Sequence, residues 1–207
     1  MEQKKKTTAK ETPASLRKCL DDFMKRQNIS EDQLEYHWKG LTARATDQKF
    51  KEFHNELEAA VRNKKNGEIC DVITAIVKWG GVTIGKRMLA EYPKKLRALD
   101  ENEPIGNEKR LASWTKVLAA YKPKKFCIYD SRVAFALRVL MPEERWFLPL
   151  SRKTGNDRYD RLERKGQLSP RESYKKYMRL LDATDNRVKY ERKLFMLGGV
   201  LSKMVDA

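Results

Sequence analysis

Apolar residues recur at three- and four-residue spacing along most of the chain and alternate over no useful length, a pattern that predicts helices rather than sheet. Ser30, with Gln33 three residues on, predicts a capped helix start, and Leu34, Trp38 and Leu41 follow on one face. Phe50, Phe53, Leu57, Ala60 and Val61 predict a second helix from about Asp47. Ile69, Val72, Ile73, Ile76 and Val77 predict a third from about Glu68, running to Trp79 and stopped by the pair Gly80 and Gly81. Residues 84–99 predict a more basic helix interrupted by Pro93, with a polar loop from Asp100 to Asn107 behind it. Leu111, Trp114, Val117, Leu118 and Tyr121 mark the next helix, which Pro123 closes.

The segment Phe126, Cys127, Ile128, Tyr129 is apolar and extended in character. Asp130 follows it, immediately before Val133, Ala134, Leu137 and Leu140, and therefore reads as the N-cap of another helix. Residues 151–167 are polar, basic and glycine-containing, which predicts an exposed loop. Ser169, Pro170 and Glu172 supply cap, first-turn proline and capping-box carboxylate in order, ahead of Tyr174, Tyr177, Met178 and Leu181. A last helix carries Leu194, Phe195, Leu197, Leu201 and Met204. The expected architecture is all-α: a compact multi-helix domain over residues 15–207 behind a disordered basic arm over residues 1–14.

Charge changes the picture. Lys and Arg number 45 against 29 Asp and Glu in 207 residues, a formal net charge of +16, far above what solubility requires. A polyanionic partner, nucleic acid and DNA foremost, is the natural reading. The excess is unevenly placed: residues 19–85 hold ten basic and eleven acidic residues, whereas residues 86–125 hold eleven and five, and residues 138–179 twelve and six. Between the two basic stretches lies a nearly uncharged apolar segment, so a basic patch built around it is expected. Cys19, Cys70 and Cys127 stand far apart, and His37 and His54 are the only histidines, which argues against a disulfide framework, a zinc site or an iron–sulfur cluster, and no cofactor is expected. No apolar run approaches the roughly 20 residues of a membrane span, and the lysine-rich start has no apolar stretch behind it, so the cytoplasm is the expected location.

Candidate chemistry concentrates in residues 113–140, which read SWTKVLAAYKPKKFCIYDSRVAFALRVL. A lysine, Lys116, sits on an apolar helix; an apolar connector follows; then Asp130 caps the next helix with Ser131, Arg132 and Val133 behind it. This stretch resembles the core of the helix-hairpin-helix DNA glycosylase superfamily, in which a lysine-bearing helix leads to a Val-Asp-Thr-His-Val type segment. Tyr129 to Val133 align with that segment, with Tyr for the first Val, Ser for Thr and Arg for His. The likeness spans about 30 of the 207 residues. It implies a helical fold of that superfamily and an enzyme that flips a damaged or modified base out of DNA and cleaves its N-glycosidic bond. Asp130 would stabilise the cationic sugar and activate water. Some members also use a lysine as nucleophile, a role for which Lys116 and Lys109 compete; Lys109 follows Pro104, Ile105 and Gly106, an echo of the family hairpin. The sequence departs from the pattern at two points: Gly106 stands where two hairpin glycines are usual, and Phe135 occupies the position of an arginine.

Arg132, Lys109, Arg110, Trp114, Lys124, Lys125, Arg152 and Lys153 are the expected nucleic-acid contacts. Each feature also has a plainer reading: Asp130 as a cap alone, Lys116 as a snorkelling lysine, Trp79 and Trp114 as core. Two further function classes stay open, a binding module on the same scaffold without chemistry and a basic protein that meets RNA or an acidic protein.

Overall fold

A computed structural model describes residues 15–106, 110–149 and 167–206. The expected arm over residues 1–14, Lys109, and most of the expected loop, including Arg152 and Lys153, lie outside the described residues. The chain is mostly helical. Its helices are α1 (Leu16–Gln27), α2 (Ala43–Arg62), α3 (Asn66–Trp79), α4 (Lys86–Leu89), α5 (Tyr92–Arg97), α6 (Leu111–Tyr121), α7 (Ser131–Leu140), α8 (Pro170–Asp182) and α9 (Arg187–Asp206), and a small hairpin joins β1 (His37–Trp38) to β2 (Leu41–Thr42).

Most predicted elements are present, and the differences have local causes. The chain is helical before Ser30: Ser15 caps α1 by accepting a bond from the Lys18 N–H at 3.2 Å. The reciprocal Ser30 and Gln33 bonds form as expected, at 2.7 and 3.4 Å, but only a single 3₁₀ turn over Asp32–Leu34 follows, with Glu31 at its N-cap position. The helix predicted to carry Trp38 and Leu41 is instead the hairpin, because Lys39 and Gly40 both take positive φ, 51° and 78°, the mark of a two-residue turn that twists with its strands. The basic helix predicted over residues 84–99 divides into α4 and α5, with Pro93 in the first turn of α5, where its missing N–H costs nothing. Gly81 ends α3 in the left-handed conformation, φ 73°, and the Val82 N–H returns to the Val77 carbonyl at 2.8 Å.

Helices α2, α3, α5 and α6 pack on one another, and α9 packs most extensively on α7, with α8 and α1 on the flanks of that pair. One continuous hydrophobic core joins both groups. Helix α6 runs through its middle, buried from Leu111 to Ala120 except for Ala112, which is half-buried. Contact between α7 and α9 depends on Gly198: a Cβ there would lie 2.1 Å from the carbonyl oxygen of Arg132, so only glycine lets the two backbones approach. Among the described residues no helix is long and apolar enough to cross a membrane.

Candidate active site

The site is assembled by the connector from Lys122 to Asp130, which leaves α6 and starts α7. An extended stretch in a protein interior must find partners for its backbone groups, and here side chains supply them. The Thr115 hydroxyl accepts from the Tyr129 N–H at 3.0 Å and lies 3.2 Å from the Tyr129 carbonyl. The Tyr174 hydroxyl accepts from Cys127 N–H at 3.3 Å and lies 3.0 Å from Cys127 carbonyl oxygen. Glu191 Oε1 accepts from the Ile128 N–H at 2.7 Å. Held at three successive residues, the connector delivers Asp130 to the start of α7 in a fixed place.

Asp130 is the N-cap predicted from sequence. Its Oδ1 accepts from the N–H groups of Arg132 and Val133 at 3.1 and 3.2 Å, and its Oδ2 accepts from Lys116 Nζ at 3.0 Å. Both partners are buried, with Lys116 5% and Asp130 8% exposed. Burial alone would raise the carboxyl pKa of Asp130; the Lys116 ammonium, the Val133 N–H and the nearby Arg132 charge outweigh it and hold the group below the usual carboxylate range. The stem of Lys116 crosses Gly80, where a Cβ would lie 2.5 Å from its Cδ and 2.7 Å from its Cε. Gly80, the C-cap of α3, thus also opens the channel through which the lysine reaches the aspartate.

The ion pair lies on a cavity of about 130 Å³ at the seam between the two helical groups. Its wall is aromatic: Tyr36 and Trp38 from the hairpin segment, Phe50 from α2, Trp79 from α3, Phe126 from the connector and Phe195 from α9. Edge-to-face contacts lock these rings, Trp38 on Phe195 at 5.3 Å and Phe50 on Trp79 at 5.1 Å between centroids. The hairpin is tied to α3 because the Trp38 indole N–H donates to the Trp79 carbonyl at 3.0 Å. The indole N–H of Trp79 is itself buried without a hydrogen-bond partner among the described residues. Two guanidinium groups stack on the outer aromatics, Arg132 over Trp38 and Phe195 and Arg192 over Tyr36. Burial pushes the Tyr36 phenol up to about 12, so it stays neutral.

Comparison with protein-family models, curated proteins and solved structures gives no match for this chain. The two candidate catalytic residues, Asp130 and Lys116, are brought together. Arg132 stands beside the cavity, on its aromatic wall. Lys124 and Lys125 are exposed between two lining residues, Pro123 and Phe126, but Lys125 shares Glu101 with Lys122, which offsets part of its charge. Arg110 is exposed and donates to the Thr83 carbonyl, away from the cavity lining. Trp114 corrects its expectation as a nucleic-acid contact: it is 2% exposed, stacked on Tyr92 at 5.3 Å, with its indole N–H donating to the Pro104 carbonyl. A ring so enclosed and satisfied offers no face to a base.

Sequence reasoning passed over Glu191, Tyr36 and the second role of Gly80. A signal existed for Glu191, which lies three and four residues before Leu194 and Phe195 and so shares the apolar face of α9. Among the described residues no cluster of His, Cys, Asp and Glu forms that could hold a metal ion.

Proposed function

We propose that this protein is a DNA N-glycosylase that draws an extruded base into the aromatic cavity and breaks its bond to the sugar, on a divergent helix-hairpin-helix glycosylase scaffold. The observation that carries this reading is the Asp130 carboxylate, held ionised by Lys116 and the first N–H groups of α7 on a cavity rich in aromatic rings. A developing oxocarbenium ion calls for a fixed negative charge in a place where water screens it poorly, and a base calls for flat apolar faces. The Trp79 indole N–H, lacking a partner among the described residues, adds a donor whose desolvation cost a bound acceptor would offset. The lysine-bearing helix followed by an aspartate cap supports the superfamily reading. The hairpin adds nothing to it, because residues 107–109 lie outside the described residues.

In this scheme the basic residues hold the phosphate backbone, and Asp130 stabilises the cationic sugar and then takes a proton from the attacking water. Lys116 keeps the aspartate ionised. Both a damaged base and a modified base of invading DNA fit the chemistry. One observation favours a second reading, a binding module without chemistry: both Asp130 oxygens already have protein partners, as a purely structural ion pair would.

The test incubates the purified protein with duplexes and single strands carrying uracil, hypoxanthine, 8-oxoguanine or 7-methylguanine and scores abasic sites. Release that falls on the order of 10²–10⁴-fold in Asp130→Asn supports the enzyme. Binding without release by either form supports the module and overturns the enzyme. Borohydride trapping of a covalent DNA adduct, lost in Lys116→Ala and kept in Lys109→Ala, would make Lys116 a nucleophile; no adduct assigns it to positioning alone.

A further inference from the structure

Helix α9 meets the cavity with Val188, Glu191, Arg192 and Phe195, residues at helical spacing on one face. Glu191 therefore joins Asp130 on the cavity wall, as does Asp47 of α2, which is paired with Arg192. Glu191 is fixed rather than free to swing out, because Oε1 accepts from the Ile128 N–H at 2.7 Å, two residues before Asp130 in the chain. Glu191 and Asp130 are thus referenced to the same short connector. Their surroundings differ. Asp130 has an ammonium partner and two helix N–H donors. Glu191 has no ion-pair partner among the described residues, although two arginines of its own helix are near.

Those arginines are engaged elsewhere. Arg187 donates to Cys127 Sγ and to the Lys124 and Lys125 carbonyls and pairs with Asp182, and Arg192 pairs with Asp47. The remaining titratable groups near Glu191 are Asp47, which Arg192 holds, the Cys127 thiol and the Tyr36, Tyr174 and Tyr177 phenols, these four neutral at ordinary pH because burial raises them, and the Lys116–Asp130 pair. Burial in this setting pushes the Glu191 carboxyl above the usual carboxylate range, against the pull of the Ile128 N–H, the Cys127 thiol and the two arginines. Of the carboxyls in this cavity, Asp130 is driven toward the ionised form and Glu191 toward the protonated form, which divides these two into base and acid.

Resting on the glycosylase reading, we infer that Glu191 is the general acid of this site, donating its proton to a ring nitrogen of a neutral base as that base leaves. The step balances. The Glu191 proton passes to the base nitrogen, and the electron pair of the C1′–N bond goes to the departing base. The oxocarbenium sugar is left facing the Asp130 carboxylate; water then adds to C1′, giving its proton to Asp130 and so to solvent. Glu191 regains a proton from solvent. A base that already carries a positive charge leaves without this help, so the inference also names a substrate class: neutral bases that present a protonatable ring nitrogen.

The experiment compares wild type with Glu191→Gln, whose amide oxygen can still accept from Ile128 N–H, on duplexes carrying hypoxanthine or 8-oxoguanine and on a duplex carrying cationic 7-methylguanine. Single-turnover release of the neutral bases is expected to fall on the order of 10²–10⁴-fold, with 7-methylguanine release changed by less than about tenfold. The wild-type rate on neutral bases should also fall about tenfold per pH unit on an alkaline limb that Glu191→Gln abolishes. Equal losses on both substrates, with the limb retained, would make Glu191 a structural post and overturn the inference. So would wild-type release confined to 7-methylguanine, or rates on neutral bases that the substitution leaves intact, while in all three cases the glycosylase reading stands. Absence of release from every duplex by wild type overturns that reading and this inference with it.

Discussion

The starts of α7 and α8 obey the same rule of helix capping and differ in everything else. At α8, Ser169 and Glu172 close a reciprocal capping box at 3.0 and 3.2 Å on the exposed surface. Nothing more is required of them. At α7, Asp130 caps with one oxygen, holds Lys116 with the other and lines a cavity, while buried. A serine would cap α7 as well without burying a charge. Burying an ion pair gains little stability over an apolar substitute, so capping does not explain why an aspartate and a lysine are placed there. Ser169 is a residue that its helix needs, and Asp130 is one that its helix merely permits.

Substitutions at the α7 start should have the largest consequences. In Asp130→Asn the cap oxygen is retained, yet base release should fall on the order of 10²–10⁴-fold in the abasic-site assay. The same variant leaves Lys116 buried without its counter-charge, a loss of about 3–5 kcal/mol in urea unfolding at neutral pH. The sign with pH follows from the depressed Asp130 pKa: the stability it contributes is complete above the unfolded value of about 3.9 and is lost as pH falls through the lower folded value. The gap between wild type and Asp130→Asn should therefore close below about pH 4. A gap that persists in acid would mean that the pair is not the source of the loss.

Next in size is Gly198→Ala. Its new Cβ would meet the backbone of Arg132, in the first turn of α7, at 2.1 Å, and backbone cannot yield as a side chain can. Separation of α9 from α7 should cost about 3 kcal/mol, read as a lower urea midpoint at unchanged m-value. Gly80→Ala is milder, because the atoms it meets belong to the flexible stem of Lys116. Displacing that stem should slow release about tenfold with the fold intact by circular dichroism. An unchanged rate would show that the lysine's placement against Asp130 is not critical.

Much of this architecture is legible in the sequence, for reasons that particular residues make plain. Caps are local, so Asp130, Ser169 and even Ser30 can be read from a few neighbours. The Ser30 signal is met in the structure and still leads only to a single 3₁₀ turn, since Lys39 and Gly40 turn the chain back just beyond it. The pairing of Lys116 with Asp130 is foreshadowed by their places on consecutive helices, but their 3.0 Å contact depends on Gly80 from a third helix, which no local pattern reports. Trp79 and Trp114 look alike in sequence, each at helical spacing. Tertiary packing makes Trp114 a satisfied core residue and puts Trp79 on the cavity wall with an indole N–H lacking a partner among the described residues. Glu191 lies 61 positions after Asp130, and only the return of α9 onto α7 brings it to the same cavity.

The smallest effect belongs to the other side of the comparison. Ser169→Ala removes the acceptor for the Glu172 N–H, and with it one half of the capping box; the Glu172 carboxylate can still accept from the backbone N–H of residue 169. The loss should be about 1 kcal/mol, the usual worth of such a cap. Because the box closes on itself at the surface, and neither residue lines the aromatic cavity, the variant should release base at the wild-type rate under conditions where it remains folded. A slowed rate at full folding would show that α8 transmits its placement to the site, and Tyr174 would be the route, since its hydroxyl holds both backbone groups of Cys127 in the connector that ends at Asp130.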